Sequence, residues 1–197
     1  MPTHTVTIVE HQATWSAEFA CIAAELRDVL GSAALQIDHI GSTAVPGLAA
    51  KDIIDVQVTV SRLEHALSEK LLAAGFTVPT DLIRQDHLPP GFEANEQDWA
   101  KLFFMQRAGS RRCNIHVRQA GRPNRRYPLL VRDFLIAEPC TAQAYGELKR
   151  RLAASLADPD AYPDVKDPVS DLIYQAAERW GMATHWQEPF ARAPHAA

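Results

Sequence analysis

The chain has 197 residues, a formal net charge of −4 at pH 7, and 47% hydrophobic and 22% charged residues. That length suits one well-buried domain of ordinary globular composition. It excludes a membrane-spanning chain, because no apolar run reaches the roughly 18 residues a bilayer requires.

The first residues, Met1 to Thr5, lack the basic-then-apolar layout of a signal peptide. Trp15, Phe19, Ile22, Leu26 and Val29 recur at helical spacing, and Gly31 follows as a stop. Ala34 to Ile40 reads as a short strand and Gly41 to Lys51 as a turn and loop around Pro46-Gly47. Ile53 to Val60 reads as a strand dense in Val and Ile. Leu63, Leu67, Leu71 and Leu72 mark a second helix closed by Gly75. Pro79 to Asp98 is polar, carries Pro89-Pro90-Gly91, and reads as a long loop or flap. Lys101 to Gln106 and Arg112 to Arg118 read as an antiparallel hairpin. After Pro123 the pattern turns helical. Leu130, Phe134 and Leu135 mark one helix, and Tyr145, Leu148, Leu152 and Leu156 the next. Asp167-Pro168 is an N-cap and first-turn pair, predicting a last helix through Leu172, Ile173, Ala176 and Trp180 that Gly181 stops. The expected organisation is a single domain over 1–185 and a flexible tail over 186–197.

Cys21, Cys113 and Cys140 are widely separated and form no C-x-x-C pair. So sparse and odd a count points to a reducing cytoplasm, not to a disulfide framework or thiolate zinc. From Arg107 to Arg132 the chain has eight arginines and no acid. Such a local basic segment on an acidic chain suits a small polyanion better than a long nucleic acid. A solvated arginine-rich loop fits the same pattern.

Strand alternation sorts side chains by face. Ile54, Val56, Val58 and Val60 form a core row, leaving Asp55, Gln57 and Thr59 on the other side. Cys113, Ile115 and Val117 likewise face the core, while Arg112, Asn114, His116 and Arg118 share the polar face. In one sheet, the two polar rows line a common surface: an active site or an ordinary solvated face. Arg112 and Arg118 flank His116 and are the preferred anion contacts, since guanidinium offers a fork of donors. Gly41 permits close backbone approach to a ligand, and Ser42 offers amide and hydroxyl to a phosphate. Asp55, on the strand that follows, could hold a divalent ion beside the same phosphate; magnesium commonly uses only one or two protein carboxylates.

These segments resemble the GrpB family, a branch of the nucleotidyltransferase superfamily. The resemblance rests on His39-Ile40-Gly41-Ser42-Thr43, on Val45 through Lys51, and on Ile54-Asp55-Val56. It continues through Asn114-Ile115-His116-Val117-Arg118, Leu130 to Leu135, and Tyr145 to Arg150 with Leu148-Lys149. The chain is also similar to the GrpB-like domain fused to actinobacterial dephospho-CoA kinase. It has no G-x-x-x-x-G-K-[ST] loop, so it is not expected to phosphorylate dephospho-CoA.

The resemblance implies an α+β fold: a nucleotidyltransferase-like mixed sheet backed by helices, with a C-terminal helical segment. Superfamily enzymes place two acids as Asp-x-Asp or Asp-x-Glu and bind two metals. Here Gln57 replaces the second acid and His116 lies on the later strand. The implied partner is a small anionic or nucleotide ligand, with no membrane and no oligomeric state specified. The implied cofactor is Mg or Mn, or Zn if His116 is a ligand. The candidate catalytic and metal residues are Asp55 and His116. His39, Gly41, Ser42, Lys51, Gln57, Arg112, Asn114, Arg118 and Lys166 are the candidate ligand contacts. Three functions fit: nucleotidyl transfer, a binding or folding-accessory module that kept the pocket, and a mononuclear enzyme on the same scaffold.

Overall fold

A computed structural model describes residues 6–79 and 85–189. The order is α1 (Trp15–Leu30), β1 (Gln36–Ile40), β2 (Ile54–Val60), α2 (His65–Ala73), α3 (Glu96–Trp99), β3 (Leu102–Met105), β4 (Cys113–Gln119), α4 (Pro123–Ala137), α5 (Pro139–Ser155) and α6 (Tyr162–Thr184). The four strands form one mixed sheet in the order β1-β2-β4-β3. β1 is antiparallel to β2, β2 is parallel to β4, and β3 is antiparallel to β4. This is the α+β architecture expected, including the β3–β4 hairpin.

The sheet has one apolar and one polar face, as alternation requires. Ile54, Val56, Val58, Val60, Cys113, Ile115 and Val117 are sealed beneath Ile22, Leu26 and Leu30 of α1 and Leu67 and Leu71 of α2. Removal of each such aliphatic side chain from water stabilises the fold by about 1.5–3 kcal/mol. The other face is not solvated along its length. Gln57 and Thr59 are fully buried there by α4, and Arg118 is almost so. Gln57 Oε1 accepts from Arg118 Nη1 at 2.8 Å, while Gln57 Nε2 donates to the Arg125 carbonyl at 3.1 Å. Arg125 Nε donates to Thr59 Oγ1 at 3.2 Å. Buried amides and guanidinium groups must find partners, and here they find one another.

Two expected boundaries are corrected. The last helix begins at Tyr162, with Pro163 in its first turn, so Asp167-Pro168 lies inside it. Either proline suits a first turn, and the earlier one starts the helix. Gly181 does not stop it. A Cβ there would lie 3.1 Å from Leu130 Cδ1, so this glycine lets α6 press against α4. The helix ends at His185 in the left-handed region, φ 54°. Beyond it, Trp186 Nε1 donates to Asp133 Oδ2 at 2.9 Å, and Arg125 Nη2 donates to the Pro189 carbonyl at 2.7 Å. These contacts tie down the start of the segment expected as a tail. The remainder, 190–197, and the stretch 80–84 of the expected flap lie outside the described residues.

α4, α5 and α6 form a second core around Leu130, Phe134, Ile173, Tyr174 and Ala177, which also takes Val45 and Leu48 from the loop after β1. The fully buried positions of α5 are Ala142, Gly146 and Lys149, not its leucines. A Cβ at Gly146 would lie 3.3 Å from Leu48 Cδ1, so the missing side chain brings α5 against the loop. That approach carries Lys149, one turn on, to Ser42.

Candidate functional site

Between the polar end of the sheet and the helices α4–α6 lies a cleft of about 620 Å³. The sheet contributes Asp55, Asn114 and His116, the loop after β1 contributes Gly41 and Ser42, and the helices contribute Tyr127, Arg132, Tyr145, Lys149, Tyr162 and Lys166. Lys51 and Lys101 also line it.

Gly41 fixes the loop. Its φ is +70°, and a Cβ there would lie 2.9 Å from Asp55 Cβ and overlap the Asp55 carboxylate. Backbone and carboxylate therefore touch only because the residue is glycine. Asn114 Nδ2 donates to Asp55 Oδ1 at 2.9 Å and orients the carboxylate. His39 sits beneath, its ring stacked on Phe19 at 4.7 Å and its Nε2 3.0 Å from Thr43 Oγ1. It braces the turn from the apolar side and does not line the cleft.

Opposite the carboxylate stand lysines. Lys149 Nζ donates to Ser42 Oγ at 2.8 Å and lies 4.5 Å from the Tyr145 ring centroid. Burial, then the charges of Lys166 and Arg150, bring its pKa down to about 7, with Asp55 opposing. Lys51 Nζ stands 4.1 Å over the Tyr162 ring, and burial and Lys166 lower its pKa too. Lys166 Nζ donates to Ser170 Oγ at 3.1 Å. A bound anion would favour the charged forms of Lys51 and Lys149, which burial and Lys166 oppose.

His116 is neutral: burial and the adjacent Arg118 bring its pKa down to about 4. Arg118 Nη2 lies 3.4 Å from Nδ1. A guanidinium only donates, so the network assigns Nδ1 as acceptor and the proton to Nε2, which faces Asp55 Oδ1 at 4.0 Å. With a proton on Nε2, His116 presents no lone pair to an ion beside Asp55. Among the described residues, no group of three His, Cys, Asp or Glu side chains could hold a metal. The donor set does not fit a two-metal centre or a zinc site. Asp55 is the one carboxylate on the cleft's sheet wall, so a Mg or Mn ion there would take most of its ligands from water and ligand oxygens.

The structure thus brings together Gly41, Ser42, Lys51, Asp55, Asn114, His116 and Lys166. It leaves Gln57 and Arg118 off the cleft wall, within the buried polar layer. Arg118 is bound by Asp86, which takes 2.7 Å bonds from its Nε and Nη2 and a 2.6 Å bond from Lys101 Nζ. Burial works against the Asp86 carboxylate, yet Arg118 and Lys101 hold it well below the usual carboxylate range. Arg112 is exposed and does not line the cleft. The rest of the arginine window is paired as well: Arg107 with Glu25, Arg111 with Glu18, Arg122 with Asp98, Arg125 with Glu188, Arg126 with Glu178 and Arg132 with Asp133. The window knits the fold, and lysines furnish most of the cleft's positive charge. Lys149 was missed as a site residue because its helix was read from its leucines. Ala142, Gly146 and Lys149 at i, i+4 and i+7 were the available signal: a lysine on a small-residue face.

Residues 5–176 match the family described as GrpB protein. The chain belongs to the GrpB family. It is 34% identical over 196 residues to a dephospho-CoA kinase of Mycolicibacterium paratuberculosis, covering 92% of this chain and 48% of that protein. It is 31% identical over 181 residues to the UPF0157 protein SCO7215 of Streptomyces coelicolor, covering 90% and 86%. The chain spans about half the length of the kinase relatives. Among solved structures, GrpB from Enterococcus faecalis superposes with TM-score 0.70 at 27% identity, covering 92% of this chain and all of that one. Cid1 in complex with ApU reaches only TM-score 0.44 at 16% identity over 70% of this chain and 39% of its own, a distant likeness that assigns no function. No helix among the described residues is long and apolar enough to cross a membrane.

Proposed function

We propose that this GrpB-family protein binds a phosphorylated small molecule in the cleft, its phosphates lying between Ser42 and the Lys51–Lys149–Lys166 group, with one divalent ion on Asp55. The carrying observation is Lys149: a buried amine bonded to Ser42 Oγ, whose charged form has no carboxylate ion partner among the described residues. Such a charge is costly to bury unless something anionic completes it. The cleft's size suits one small ligand rather than a polymer. Tyr127, Phe103, Val131 and Ile173 give it an apolar wall for the ligand's organic part.

A second reading is a binding or accessory module without transfer chemistry, like the region matched in the kinase relatives. Gln57 favours it. The position of the missing acid is sealed from the cleft, so the side chain there cannot reach a second metal. On this donor set, nucleotidyl transfer by the two-metal route is not supported.

Asp55→Asn separates charge from shape. ATP with Mg²⁺ or Mn²⁺ is expected to raise the wild-type melting temperature more than ATP alone. A ligand at 100 times its Kd adds about 2.7 kcal/mol. The variant should keep the ATP-only response and lose the metal-dependent increment. An undiminished increment would remove Asp55 as the ion's ligand.

A further inference from the structure

We propose that Ser42 and Lys149 form a nucleophile–base pair that takes the phosphoryl-type group of a small phosphoric ester or anhydride onto Ser42 Oγ. This rests on the phosphate-binding reading of the cleft and adds a covalent step to it.

The geometry is that of an activated hydroxyl. Ser42 Oγ and Lys149 Nζ are 2.8 Å apart, and both residues line the cleft. Lys149 is only 3% exposed and has no ion pair among the described residues. The charges that bear on it are Lys166 and Arg150, which disfavour the ammonium, and Asp55, which favours it. The pKa of about 7 leaves a large fraction of free amine at neutral pH. A free amine at this distance accepts the Ser42 proton, and the ammonium returns it, so one contact serves as base and then as acid. Gly41, locked against Asp55, holds the serine at the cleft floor. Three nearby lysines suit a phosphorus centre, whose charge spreads over several oxygens, better than a carbonyl with one.

In the step, Ser42 Oγ attacks phosphorus while its proton moves to Lys149 Nζ. The bond from phosphorus to the leaving oxygen breaks, and that oxygen takes the proton from Lys149. The Ser42 phosphoester is then cleaved by water at the P–Oγ bond, restoring the serine hydroxyl. Neither half-reaction requires a second acid at position 57.

The test uses a fluorophosphonate probe on the whole protein, with the labelled peptide located by mass spectrometry. Phosphorus takes Ser42 Oγ, and fluoride leaves with the proton through Lys149. Wild type is expected to label at Ser42, with a rate that rises with pH through about 7 and then levels. S42A should not label there. K149R keeps the positive charge but has no base at neutral pH. It should slow labelling by roughly 100-fold or more, with a cooperative thermal transition showing that the variant is folded. An unlabelled Ser42 in wild type, or K149R labelling at the wild-type rate, overturns the pair. If Ser42 labels but ATP leaves the wild-type melting temperature unchanged, the phosphate-binding reading and the phosphoric substrate fall, and the nucleophile stands.

Discussion

Gly41 shows how closely one residue can couple backbone to chemistry. Its positive φ and its contact with Asp55 leave no room for a side chain. Gly41→Ala should therefore destabilise the fold by about 1–3 kcal/mol, through strain and displacement of the Asp55 carboxylate. Urea unfolding checks the magnitude. The same variant should bind ATP more weakly, because the turn that presents Ser42 moves with the strained backbone. Wild-type stability in the variant would mean that the loop has slack the structure does not show. Lys149 is the second decisive residue. It sits on a helix face otherwise built from Ala142 and Gly146, where a long charged side chain survives only because its amine reaches Ser42 and the cleft.

At the scale of elements, the sheet's polar face has two ends with different fates. One end, carrying Asp55, Asn114 and His116, opens into the cleft. The other is closed by α4 and by the segment leading to α3, which contributes Asp86. That carboxylate compensates both Arg118 and Lys101, and Asn124 adds a 3.1 Å bond to it. Asp86→Ala leaves two nearly buried cations without their partner. It should cost about 3–5 kcal/mol in urea unfolding, against the small effect of breaking an exposed pair such as Arg151–Glu147. A loss below 1 kcal/mol would mean water reaches the layer freely. This layer is also where sequence reading stops. Alternation placed Asp55, Gln57, Asn114, His116 and Arg118 on one face correctly, because period two is a local property of a strand. It could not show that Gln57 and Arg118 would be capped, because Asp86 and Arg125 come from segments 32 and 68 residues away. The loop glycine and serine were legible as a ligand-facing turn. Of the cleft's cations, Lys51 and Lys166 were legible and Lys149 and Lys101 were not, because the arginine run is conspicuous in sequence while its carboxylate partners are scattered.

At the scale of the whole molecule, two cores meet at the cleft: one between the sheet and α1–α2, the other among α4–α6. The first supplies the carboxylate and the second Lys149 and Lys166, so the site exists only when both are folded and docked. A bound phosphate would bridge the two units. Its charge would raise the Lys149 pKa from about 7, so the complex holds more protons than the free protein. The sign follows directly. Below about pH 7, Lys149 is already protonated and affinity changes little with pH. Above it, binding must draw in a proton, and affinity falls as pH rises. The most direct measurement is calorimetric titration of ATP into the protein at pH 8, repeated in buffers of different ionisation enthalpy. Binding with uptake of a fraction of a proton, abolished in K149M, is the predicted result, the unprotonated fraction being the form that takes the Ser42 proton. Binding with no proton uptake would place the phosphates away from Lys149, and no binding at all would contradict the cleft as a phosphate site.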